Sequence, residues 1–157
     1  MSQTLKDTLQ SDLTTAMKAR DELRSATLRM VLTAIRGEEV AGKSARTLGD
    51  DEVITVLQRE AKKRREAAEA YDAAGRTEQA ARERDELGVV ETYLPTPLTD
   101  EELDELVDEA VLIASGEGLT GTGAMGAVMS RLKPQVAGRA DGKRLSTAVR
   151  ARLNPPA

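Results

Sequence analysis

Seven cations stand in the last quarter of the chain: Arg131, Lys133, Arg139, Lys143, Arg144, Arg150 and Arg152. Between residues 119 and 157 only Asp141 opposes them, which leaves a formal charge of +6. Guanidinium and ammonium groups at that density suit an anionic partner. Lys143, Thr147 and Arg150 recur at helical spacing, so they form one face that can follow a phosphate backbone without reading bases. With two Tyr and neither Trp nor Phe, there is little aromatic surface for base stacking, and recognition would rest on charge and shape, as for structured RNA. The candidate RNA contacts are Arg131, Lys133, Arg139, Lys143, Arg144 and Arg150. A competing account is internal. Residues 91–118 carry nine acids and no base, enough to pair with the basic segment inside one fold.

Other chemistries are narrowed by what the chain lacks. It has no Cys and no His, which removes thiol nucleophiles, thiolate metal sites and triads built on histidine. Gly121, Gly123 and Gly126 match GxGxxG, and Asp141 lies 20 residues beyond the first of them. A dinucleotide fingerprint also needs a preceding buried strand and a parallel sheet. Here an acidic amphipathic segment precedes and no strand pattern follows. Glycines that let two helices approach closely are the simpler explanation; a Gly-rich helix start with exposed N–H groups that can hold a phosphate is the functional one. Ser130 and Lys133 have SxxK spacing, but its partner motifs are missing. The carboxylates from Asp100 to Glu109 read as a solvated face and a complement to a helix dipole. Lys62, Lys63, Arg64 and Arg65 spread around a helix and have Glu60 and Glu66 at pairing distance, so they do not make one basic face. No catalytic residue, cofactor or metal ligand is assigned.

Helices must position these groups. Ala, Glu, Lys, Leu and Arg make up 80 of 157 residues, while Leu, Ile and Val supply only 32, a composition of long helices with a thin, Ala-rich core. The first residues lack a signal-peptide core, and the longest uncharged run, residues 118–130, is 13 residues and Gly-rich, too short to span a bilayer. A soluble, cytoplasmic protein is expected.

Leu5, Leu9, Leu13 and Met17 predict a first helix. Leu23, Thr27, Met30, Val31, Ala34 and Ile35 predict a second that ends near Gly37 or Gly42. Residues 41–50 read as a loop, with Asp50 capping a third helix whose inner positions are Val53, Val56, Leu57, Glu60, Ala61, Arg64, Ala68 and Tyr71. Gly75 ends that helix, and Thr77 caps a fourth that is interrupted at Gly88. Pro95 and Pro97 forbid a continuous helix and mark a boundary. Thr99 and Glu102 form a capping box ahead of a stripe of Leu103, Leu106, Val107, Ala110, Val111 and Ala114, closed by Gly116. After a Gly-rich loop, Met125, Val128, Met129 and Leu132 mark a short helix that stops before Pro134. Asp141 caps the last helix, with Leu145, Val149 and Leu153 inward, and residues 154–157 should fray. The expected fold is all-α: a four-helix N-terminal domain over 1–94 and a three-helix C-terminal bundle over 98–153.

These residues resemble the GatB/YqeY family. The resemblance rests on Glu91 with Tyr93-Leu94-Pro95, on the run Leu98 to Leu103, on Met125-Gly126 with Met129, and on Gly138 to Lys143. Leu28-Arg29-Met30, Ala34-Ile35, Lys62 with Arg64 and Ala67, and Ala74-Gly75-Arg76 extend it over essentially the whole chain, as in free-standing YqeY-like proteins. Ala124 stands where such sequences often carry Asp. The family is similar to the tail domain of the B subunit of tRNA-dependent amidotransferase, which is helical and helps hold the tRNA body; similar modules are appended to some glutaminyl-tRNA synthetases. The resemblance implies a non-catalytic accessory module bound to tRNA or to a tRNA-dependent enzyme complex. Two alternatives stay open: a helical protein–protein adaptor that docks a partner through its N-terminal helices, and a carbon–nitrogen ligase with glutamine as amido donor.

Overall fold

A computed structural model describes residues 2–154. Among the described residues seven helices follow one another: α1 (Leu5–Lys18), α2 (Glu22–Val40), α3 (Asp50–Ala73), α4 (Thr77–Glu91), α5 (Asp100–Gly116), α6 (Gly121–Val136) and α7 (Gly142–Leu153). Among the described residues there is no strand, and the fold is all-α as expected. No helix among them is long and apolar enough to cross a membrane. The chain divides into two compact units, one ending at Leu94 and the other beginning at Pro95.

In the first unit, α1 to α4 enclose a core of Leu9, Leu28, Val31, Ile35, Val53, Val56, Leu57, Ala61 and Val90. Each buried Leu or Val contributes roughly 1.5–3 kcal/mol by leaving water. The inner positions of α3 from Val53 to Ala68 are all buried, Glu60 and Arg64 included. The α3–α4 hairpin turns at Gly75, whose φ of +73° is open to glycine but strained for other residues.

Several local expectations need correction. Met17 and Met30 point outward, at 44% and 50% exposure; Ala16 and Leu28 take the inward places instead. Of the two ends expected for α2, the one near Gly42 holds: the helix runs to Val40, with Gly37 inside it. Gly49, not Asp50, is the N-cap of α3. The Asp50 carboxylate instead accepts from the N–H of Leu5 at 2.9 Å, at the start of α1, while Glu52 accepts from Gly49 at 3.0 Å. Thr77 is the first residue of α4 and caps nothing, and Gly88 does not interrupt that helix, because the burial of Val89 and Val90 outweighs the roughly 1 kcal/mol cost of a helical glycine.

In the second unit, α5 to α7 pack around Leu98, Leu103, Val107, Ala110, Val128, Leu132, Val136, Leu145 and Val149. The capping box forms as expected: the N–H of Glu102 donates to Thr99 Oγ1 at 3.1 Å and the N–H of Thr99 to Glu102 Oε2 at 2.9 Å. Asp141 caps α7 by accepting from Arg144 at 2.7 Å. The stretch expected to be a loop before Met125 is already the first turn of α6, and Pro134 lies inside that helix. Pro134 falls in the last turn, where it removes one hydrogen bond, and the burial of Leu132 and Val136 keeps the turn wound. Of the tail expected to fray, Pro155, Pro156 and Ala157 lie outside the described residues.

Candidate nucleic-acid interface

The seven basic groups of the second unit separate into two sets. Arg139, Arg144 and Arg152 are engaged with α5. Arg144 Nη2 lies 2.8 Å from Asp100 Oδ1, Arg139 Nη2 lies 3.8 Å from Glu102 Oε2, and Arg152 pairs with Asp108. Arg139 also donates from Nε to the carbonyl of Thr96 at 2.9 Å, while its own carbonyl accepts from Leu98 at 2.9 Å. These reciprocal bonds strap the proline-bounded segment 95–97 to the α6–α7 connection, so Arg139 is a structural group as well as a cation.

Arg131, Lys133, Lys143 and Arg150 form the second set. All four are exposed, and among the described residues none has a carboxylate within 4.0 Å. Arg131 and Lys133 flank buried Leu132 on α6. Lys143, Thr147 and Arg150 line the outer side of α7, all exposed, because Leu145 and Val149 turn the opposite side into the core.

Of that face Arg150 lines an open cleft of about 540 Å³, together with Arg152, Ser115, Thr120, Gly121 and Thr122 and with apolar side chains such as Leu119 and Met125. The first turn of α6 forms one wall. Thr120 is its N-cap, no side chain caps it, and no acid stands in its first turn. The leading N–H groups of such a helix have no intrahelical partner and carry partial positive charge. Gly121 has φ +58°, which explains a glycine there. The packing explanation for the glycines fails: a Cβ at Gly121, Gly123 or Gly126 would meet nothing within 4 Å. Arg150 and the exposed N–H groups of α6 together make a place where a phosphate oxygen could be received.

The first unit holds a charged network that extends beyond the Glu60–Arg64 spacing on α3. Arg64 Nη1 donates to Glu60 Oε2 at 2.8 Å and to the Glu60 carbonyl at 3.0 Å, and Arg64 Nε lies 3.8 Å from Glu86 Oε2. Arg82 extends the network from Glu86 to Glu22, reaching both Glu22 oxygens at 3.2 and 3.3 Å. These hydrogen bonds hold the Glu22 carboxyl below its usual range, whereas burial pushes the nearby Glu83 carboxyl up. The inward place of Arg64 was legible from spacing; its partner Glu86, on the next helix, had no local signal. The network pins α3 to α4. Among the described residues no group of three His, Cys, Asp or Glu is placed to hold a metal ion.

No match to the sequence was found among curated proteins. The family described as Yqey-like protein matches residues 6–153, a span that takes in every helix but the first residue of α1. The chain belongs to the YqeY-like protein family.

Proposed function

We propose that this YqeY-like chain is a non-catalytic helical module that binds tRNA, alone or within a tRNA-dependent enzyme complex, through the phosphate backbone. The observation that carries the reading is that Arg150 and the uncapped first turn of α6 line one cleft, with Lys143 and Thr147 exposed on the same helix as Arg150. Arg131 and Lys133 add cationic charge on α6. The three arginines paired with α5 are at least partly neutralised, so the protein alone binds weakly, in the micromolar range, and loses affinity steeply as salt rises.

The test is fluorescence anisotropy with bulk tRNA at low and moderate salt. Lys143→Glu with Arg150→Glu should lower affinity at least tenfold and reduce the magnitude of the salt slope by about two, with helix content unchanged. No binding of the unaltered chain to tRNA at low salt, or indifference to the double reversal, would remove this reading.

A second reading has one observation in its favour. The α5 acids already occupy Arg139, Arg144 and Arg152, and a module so paired can serve as a protein–protein adaptor without RNA. Capture with the tagged chain, followed by nuclease treatment, separates the two: an adaptor keeps its protein partner when RNA is destroyed.

A further inference from the structure

With no Cys, His or Trp in the chain, methionine is its most readily oxidised side chain. Met17 and Met30 sit on the surface of the first unit, and each sulfur faces a guanidinium. Arg29 Nη2 lies 3.1 Å from Met17 Sδ, and Arg64 Nη2 lies 3.7 Å from Met30 Sδ. The two arginines differ in kind. Arg29 is exposed. The Arg64 side chain is only 3% exposed, and its Nε has no hydrogen-bond partner. Glu60 satisfies Nη1, so the Nη2 side of a buried cation is closed by a thioether, which is a weak acceptor.

We propose that Met30 is a site of reversible oxidation by peroxide, and that Arg64 holds the sulfoxide oxygen. The sulfur lone pair attacks one oxygen of hydrogen peroxide. The S–O bond forms as the O–O bond breaks, the sulfur loses two electrons, and the proton left on the transferred oxygen passes to the departing hydroxide to give water. A thiol-dependent sulfoxide reductase reverses the step, one enzyme for each epimer. Sulfoxide formation usually disturbs the packing around a methionine. Here the new oxygen at half-exposed Met30 is a strong acceptor beside Nη2 of Arg64, whose Glu60 carboxylate is engaged at Nη1. Its charge-assisted bond joins α2 to α3, so oxidation tightens the first unit instead of loosening it.

The test uses the full chain carrying Met17→Leu, exposed to dilute hydrogen peroxide and followed by peptide mass mapping and thermal melting. Met30 should oxidise ahead of the half-buried Met125 and Met129, and the chain oxidised at Met30 alone should melt about 1–3 °C higher than before. Met30→Gln supplies a fixed amide oxygen and should also melt higher than Met30→Leu. In a chain carrying Met30→Leu, oxidation of Met17 beside exposed Arg29 should leave the melting temperature where it was. Oxidation of Met30 with no lead over Met125 and Met129, or an unchanged or lower melting temperature once Met30 alone is oxidised, overturns the proposal.

Discussion

Arg144 Nη2 stands 2.8 Å from Asp100 Oδ1, tying the first turn of α7 to the first residue of α5. Arg152 and Asp108 repeat the relationship eight residues further along both helices, so α5 and α7 run in the same direction with their charges in register. The pairs lie at the surface, where an ion pair contributes little to stability. Their larger effect is on the field: they neutralise Arg144 and Arg152, which would otherwise be open to an external anion. Replacing Asp100 and Asp108 together by Asn should therefore raise tRNA affinity several-fold at low salt and steepen the salt dependence, with the melting temperature within about 2 °C of the parent. An unchanged affinity would show that Arg144 and Arg152 lie outside the binding surface.

Arg139 behaves differently from the other cations. Its Nε bond to the Thr96 carbonyl and its proximity to Glu102 hold the segment between Pro95 and Pro97. Arg139→Ala should cost about 1 kcal/mol in the second unit and make the peptide bonds near Thr96 cleave faster in limited proteolysis. Charge reversal at Arg139 consequently mixes loss of fold with loss of phosphate contact, and Lys143 with Arg150 is the cleaner pair for a binding test.

What the sequence made legible follows from the range of each interaction. The α3 stripe from Val53 to Ala68 and the Thr99–Glu102 box depend on residues three or four apart, and both stand as read. Asp100 and Arg144 are 44 residues apart, and no spacing rule links them; the opposite charges of the two segments announced pairing only in bulk. Pro134 and Gly88 are helix breakers by local propensity, but the burial of Leu132, Val136, Val89 and Val90 sustains both helices through them. Local spacing points Asp50 at its own helix, whereas its partner, the N–H of Leu5, lies 45 residues away. For the candidate site, the α7 face was legible in full, and the exposed N–H groups of the Gly-rich helix start were one of two readings. That Arg150 and this helix start line one cleft depends on the fold.

Glu39 sets a pH-dependent contribution in the first unit. Its carboxylate accepts from Lys6 Nζ at 2.7 Å and from the N–H of Leu48 at 3.0 Å, and these bonds hold its carboxyl below the usual glutamate range. A depressed carboxyl stabilises the fold at pH above its ordinary range, and that contribution is lost as pH falls through the depressed value. Glu39→Gln should therefore destabilise the chain at pH 7 and converge with the parent as the solution is acidified below the ordinary glutamate range. Faster proteolysis in residues 41–49 at pH 7 should accompany the change. A destabilisation of equal size at pH 7 and pH 3 would show that the carboxylate charge is not what matters.

The glycines of α6 offer a clean contrast, because the space around them is alike and their backbones are not. A Cβ at Gly121 or Gly126 meets nothing within 4 Å, so crowding affects neither. Gly121 has φ +58°, a conformation that costs an L-residue roughly 1–2 kcal/mol, whereas Gly126 lies in the helix interior, where Ala is favoured over Gly by about 1 kcal/mol. Gly121→Ala should lower stability and Gly126→Ala should raise it, each by about 1 kcal/mol in urea denaturation. The two changes should also part in binding. Gly121 belongs to the wall of the cleft that faces Arg150, and distorting that turn re-aims its N–H groups, so Gly121→Ala should weaken tRNA binding at concentrations where the chain remains folded. Gly126→Ala should leave binding unaltered. Equal destabilisation by both would restore close helix packing as the reason for the glycines, and intact binding by folded Gly121→Ala would remove the first turn of α6 from the interface.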